Sequence, residues 1–185
     1  NQAQLNQVLM NQLAQGNPLT FTESEIGSRP GDVDDSRHGA LGDLNGDGFL
    51  DLVVVNRAND DPEASKVYLN DGSGTANSNP FTLPAIPFTI EGPPSMPVLA
   101  NGVSLADADN DGDLDIFLAN ASPGVRNTIY LNDGTGTIFT EVEVGGNTGS
   151  GLVSATEVAE SLASAVGDVN GDGAVDWVIG NQVNN

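Results

Sequence analysis

The sequence predicts an all-β fold made of repeated four-stranded sheets, on three observations. One nine-residue, aspartate-rich pattern recurs at even spacing. Each copy is followed by a short apolar run of strand length, and no segment carries the length and period of a sustained helix. The pattern reads DLNGDGFLD from Asp43, DADNDGDLD from Asp107 and DVNGDGAVD from Asp168, so successive copies begin 64 and 61 residues apart.

Each repeat offers the same parts in order. A small, alternating lead-in (HGALG at 38–42, GVSLA at 102–106, LASAVG at 162–167) runs into the acidic loop. The runs LDLVVVN, LDIFLAN and VDWVIGN come next, and their Val, Ile, Leu and aromatic content reads as buried strand. In KVYLNDGSGT (66–75) and TIYLNDGTGT (128–137) the alternation stops at an Asn-Asp-Gly turn that suits a hairpin. IFTEVEV (138–144) supplies a fourth strand. Four strands per repeat of about 60 residues predict radially arranged blades of the β-propeller type.

The third repeat stops after its second strand, and its missing half stands at the other end. QVLMNQ (7–12) aligns with KVYLND and TIYLND, and LTFTESEIG (19–27) reads as a fourth strand. The frame is therefore permuted. Residues 1–30 carry the outer strands of a split blade, 31–97 and 98–150 form two whole blades, and 151–185 carry the inner strands of the split one. Three blades alone would crowd the axis of a propeller. Two arrangements follow: the tail of one chain pairs with the head of another, giving a ring or a filament, or the segment is an excerpt of a longer propeller. The start at Asn1, with no initiator Met or signal-peptide core, suggests a mature or excised segment.

Charge narrows the partners. Five basic residues against 26 acids give a formal net charge of −21, which repels nucleic acid and anionic lipid. Without cysteine there is neither disulfide nor thiolate chemistry. No apolar run approaches the roughly 18 residues of a membrane-spanning helix.

The acidic loops are the candidate site. Side chains at positions 1, 3, 5 and 9 of the pattern converge while glycine at position 6 permits the turn and the carbonyl of position 7 points inward, which makes an oxygen cage for a hard cation. The expected ligands are Asp43, Asn45, Asp47 and Asp51 with the Phe49 carbonyl; Asp107, Asp109, Asp111 and Asp115 with the Asp113 carbonyl; and Asp168, Asn170, Asp172 and Asp176 with the Ala174 carbonyl. About three Ca²⁺ ions per chain are expected, in preference to magnesium, which wants a stricter octahedron. Zinc and copper are disfavoured without neighbouring His or Cys. An EF-hand is excluded because position 12 is Val54, Leu118 or Ile179 rather than glutamate. The alternative, solvated Asp-Gly turns without metal, weakens with three copies in register.

GDLNGDGFLDLVVVN together with YLNDGSGT resembles the FG-GAP or VCBS repeat family, whose best-known members form the calcium-bearing β-propeller of integrin α chains. The bacterial, VCBS-like branch is the nearer one, since the Phe-Gly and Gly-Ala-Pro signature words are reduced to HGALG, GVSLA and ASAVG. The resemblance implies calcium between the first and second strands of each blade. It leaves the ligand open, as members serve adhesion, sugar binding and enzyme scaffolding alike.

The expected function is an extracellular, calcium-stabilised binding or adhesion module for glycans or matrix proteins. Its rivals are a structural protomer that assembles through its ends and a non-catalytic domain of a larger secreted enzyme. No enzyme activity is expected: His38 is the single histidine, and no nucleophile motif surrounds it. Of the remaining features, Asn120 heads an NAS sequon but shares its repeat position with Asn56 and Asn181, which favours a role in the turn. Six of ten prolines lie in the excursion 80–97, acidic inserts stand at 31–35 and 59–63, and a glycine-rich loop at 145–151. Residues 154–164 have length for a turn or two of helix. Tyr68, Tyr130 and Trp177, the last at the position of Phe117, read as core.

Overall fold

The structure is a computed structural model that describes residues 6–11, 21–26, 36–56, 65–72, 81, 86–88, 100–121, 126–143 and 160–182. The inserts 31–35 and 59–63, the loop 145–151 and most of the excursion 80–97 lie outside them. The described residues form twelve strands: β1 (Asn6–Asn11), β2 (Phe21–Ile26), β3 (Ser36–Gly42), β4 (Asp51–Asn56), β5 (Ser65–Tyr68), β6 (Ile86–Phe88), β7 (Ala100–Ala106), β8 (Asp115–Asn120), β9 (Thr128–Asn132), β10 (Phe139–Glu143), β11 (Glu160–Gly167) and β12 (Asp176–Gln182). No helix occurs among them, and none long and apolar enough to cross a membrane is found there.

The strands form four antiparallel sheets: β3-β4-β5-β6, β7-β8-β9-β10, and the two-stranded β1-β2 and β11-β12. The expected all-β repeat is thus present twice in full and twice as a half. One local expectation changes. Glu160 to Ser164 lie in β11 rather than in a helical turn, because the alternation ESLASAVG pairs with β12 from Glu160↔Gln182 onward. The proline-rich excursion contributes strand β6, with Pro87 opposite Lys66. An edge strand accepts proline because its outward N–H has no ladder bond to lose.

Period-2 alternation decides how the sheets stack. Val53 and Val55 on β4, with Val67 on β5, turn to one face and meet Val103, Ile116, Leu118 and Tyr130 of the second full sheet. Val54 and Tyr68 turn to the opposite face and pack with Phe81, Ile26 and Val8, so the β1-β2 hairpin covers that side. A strand buried on both faces needs an unbroken apolar run, which is why β4 reads LVVV. Fully burying each such side chain is worth about 1.5–3 kcal/mol.

The second full sheet repeats the arrangement. Its far face carries Phe117, which meets Trp177 edge to face at 5.3 Å between ring centroids. Register places Trp177, directly after Asp176, at the position of Ile116 rather than of Phe117, since Ile116 directly follows Asp115. The two rings therefore oppose each other across neighbouring sheets. Tyr68 and Tyr130 are buried, as expected of core residues. Strand β11 lies against β7 and β8, with Ser104 Oγ donating to Ser164 Oγ at 2.9 Å. Along the chain the order of stacking is β1-β2, first full sheet, second full sheet, β11-β12.

Candidate metal centres

Each acidic loop joins the first two strands of a sheet. The ladders open at Gly42↔Asp51, Ala106↔Asp115 and Gly167↔Asp176, so all three loops sit at the same end of equivalent hairpins. Position 1 organises each loop by accepting backbone N–H groups. Asp43 takes Asp47 N–H at 3.1 Å and Gly48 N–H at 2.8 Å. Asp107 takes Asp111 N–H at 3.1 Å and Gly112 N–H at 3.0 Å. Asp168 takes Gly171, Asp172 and Gly173 N–H at 2.6, 3.2 and 2.9 Å. Those donors pull the Asp168 carboxyl below its ordinary pKa, the Gly173 N–H contributing most.

Position 5 folds the second half of the loop. Asp47, Asp111 and Asp172 accept the N–H of Phe49, Asp113 and Ala174 at 2.8, 3.0 and 2.9 Å. These Asx turns fix the backbone at the residues whose carbonyls were expected to serve as ligands. Position 3 does the same one step earlier in two loops, where Asn45 and Asn170 accept the N–H of Asp47 and Asp172.

Position 9 is the buried one. Asp51 and Asp115 are 0 % exposed. Their carboxylates clasp both sides of the fold: Asp51 accepts Leu44 N–H and Asn70 N–H, each at 2.8 Å, and Asp115 accepts Ala108 N–H at 2.6 Å and Asn132 N–H at 2.8 Å. Burial nevertheless pushes both carboxyls above their ordinary pKa, against those hydrogen bonds, and the neighbouring Asp47 and Asp43, or Asp109 and Asp111, push them further. Asp176, less buried, accepts Val169 N–H at 2.8 Å.

In the second loop the ligand oxygens of Asp107, Asp109 and Asp115 lie within 4.8 Å of one another. Three carboxylates gathered this closely, one of them the buried Asp115 whose pKa is raised, are suited to a hard cation, and an all-oxygen donor set favours calcium over softer metals. This loop has the carboxylate of Asp109 at its third position, where the other two loops have the carboxamides of Asn45 and Asn170.

Two features of the site escaped the sequence. Position 4 also adopts the left-handed conformation, with φ of 72° at Gly46, 62° at Asn110 and 81° at Gly171, as does position 6. Gly and Asn are the residues that tolerate this region, and the NG, DN and NG dipeptides were its visible sign. The second is the asparagine of the YLND words. Asn132 Nδ2 donates to the Leu114 carbonyl at 3.1 Å and to the Leu44 carbonyl at 2.7 Å, tying the first loop to the next sheet. Its recurrence at Asn70 was the available signal.

A family model described as the FG-GAP-like repeat matches residues 43–118 and again residues 107–179. The chain belongs to the FG-GAP-like repeat family. Each match begins at an acidic loop and runs through the next loop into its following strand, so the family's repeat is framed by the loops just described. No curated protein gave a significant match. In this FG-GAP-like repeat chain Asn120, the sequon residue, is buried and donates to the Arg126 carbonyl at 2.5 Å, which supports the turn role over glycosylation.

Proposed function

We propose that the chain is a calcium-stabilised β-propeller segment that works as a non-catalytic binding module outside cells. Membership of the FG-GAP-like repeat family supports a binding module of propeller type, and the face-to-face stacking of consecutive sheets agrees with it. The observation that carries calcium is the pair of fully buried aspartates, Asp51 and Asp115, each pressed by further carboxylates.

The ions would be held by Asp43, Asn45, Asp47 and Asp51, by Asp107, Asp109, Asp111 and Asp115, and by Asp168, Asn170, Asp172 and Asp176, with the carbonyls of Phe49, Asp113 and Ala174. A bound cation supplies positive charge where eleven of the 26 acids are gathered, and three would move the formal charge from −21 to −15. The loops then hold one rim of the stacked sheets rigid, and rigid loops on a scaffold are where ligands meet such folds. Extracellular calcium modules operate at dissociation constants of about 10⁻⁴ to 10⁻³ M, which suits this exposed, carboxylate-rich design. Glycans or matrix proteins are the proposed ligands. Binding to immobilised glycans and matrix proteins in calcium, lost on EDTA and restored by calcium, is the expected result; binding indifferent to EDTA contradicts the reading.

A further inference from the structure

The two half-sheets at the ends of the stack carry complementary unburied surfaces. Beside β1 opens a cleft of about 720 Å³, lined by Val8, Gly39, Leu41, Leu50, Leu52 and Asn70 among others. In the second full sheet the register equivalents of Leu41 and Leu50 are Leu105 and Leu114, which pack into the core. There they straddle Gly42 of the first sheet so closely that a Cβ on that glycine would lie 2.8 Å from each. Among the described residues Leu41 and Leu50 have no such glycine against them, and they are 59 % and 55 % exposed.

What would cover them is present at the other end of the chain. Gly167 occupies the position of Gly42, and a Cβ there would meet nothing within 4 Å among the described residues. Val169 occupies the position of Leu44 but is 72 % exposed against 1 %, and Val178 that of Val53 and Phe117 but is 56 % exposed against 0 % and 2 %. Asn70, at the position of Asn132, donates to the Leu50 carbonyl, as Asn132 does to that of Leu114. The further bond that Asn132 makes, to the Leu44 carbonyl, has as its equivalent a bond from Asn70 to the carbonyl of Val169. Within one chain these surfaces are kept apart: β1-β2 covers one side of the first full sheet, and β11-β12 lies beyond the second.

We infer that the cleft beside β1 is the docking site for the β11-β12 hairpin of a second copy of this chain, which completes a four-stranded sheet in the order β11-β12-β1-β2. The registers of the two complete sheets, Leu52↔Tyr68 and Ile116↔Tyr130, carry over to Trp177 opposite Leu9 and Val178 opposite Val8 across the two copies. Val178 and Val8 then share the face that packs on Val54, while Leu41 and Leu50 close over Gly167. The contact is head to tail, so it produces a two-chain ring of six sheets if the rotation closes and a filament if it does not.

Light scattering after size exclusion, in calcium, tests this with head variant Leu41→Glu and tail variant Val178→Glu. Both positions are exposed, and unchanged far-UV circular dichroism checks the fold; Leu50→Glu and Gly167→Leu are the second pair. The wild type is expected at twice the single-chain mass or more, and each variant alone at the mass of one chain. A one-to-one mixture of head and tail variants retains one sound joint and is expected at two chains and no more. A wild type that stays at one chain, whether because the cleft takes other residues of a longer protein or nothing at all, overturns the inference. Variants that assemble as the wild type does overturn it equally.

Discussion

Asp115 and Asp109 divide the work of one loop between shape and charge. Both oxygens of Asp115 accept buried backbone N–H groups, from Ala108 and Asn132, so Asp115→Asn sets an amide N–H against a donor. That leaves a buried donor unsatisfied and is expected to cost about 1–3 kcal/mol with or without metal, read by urea unfolding. Asp109 is exposed and offers its oxygen to the cluster; Asp109→Ala relieves its repulsion of Asp115, so the metal-free melting temperature at neutral pH is expected to rise slightly while the further rise that calcium produces is reduced. The raised carboxyls also set the sign of the acid response. Asp51 and Asp115 bind protons more readily folded than unfolded, so in EDTA their ionised forms weaken the fold above the raised pKa, and stability grows as the pH falls from neutral through it. Asp168 acts oppositely, contributing stability that is lost only as the pH falls below the ordinary aspartate value. With calcium bound the trend reverses, since protons then compete with the ion. Melting curves between neutral and mildly acidic pH, with and without calcium, should diverge at neutrality and converge in acid.

At the scale of the element, the repeat was legible because its pieces are short and differ sharply in kind. Acidic loops, LVVV-type runs and Asn-Asp-Gly turns each follow from local chemistry, and the structure bears out the loop between first and second strands in all three repeats. What stayed hidden was decided between elements. Strand β6 forms in a proline-rich stretch because β5 offers it an edge, and β11 starts early because β12 is there to pair with it. The asparagines at or next to the end of the second strand of each repeat show the same dependence on a partner. Ser36 Oγ donates to Asn56 Oδ1 at 2.8 Å and Ser161 Oγ to Asn181 Oδ1 at 2.9 Å. In the second full sheet Ala100 stands opposite Asn120, and Asn120 Oδ1 is buried without a hydrogen bond among the described residues. Ala100→Ser restores the missing donor and is expected to raise stability by about 0.5–1.5 kcal/mol; a loss in urea unfolding would count against the equivalence of the three sites.

As a whole molecule, a chain of net charge −21 must meet two demands at once. Sheets that carry carboxylates in their connecting loops have to stack face to face, and the cores between them, Val53 to Leu118 on one side and Val54 to Ile26 on the other, supply attraction without removing the repulsion. Cations held in the loops, as proposed, would remove it where it is densest, and a ligand that binds the folded state alone adds about 2.7 kcal/mol per site at a hundredfold excess over its dissociation constant. Titration calorimetry of the EDTA-stripped protein with calcium measures this directly, paired with melting before and after. The expected result is uptake of about three ions per chain with a rise in melting temperature; no heat of binding and an unchanged melting temperature in millimolar calcium would contradict the account.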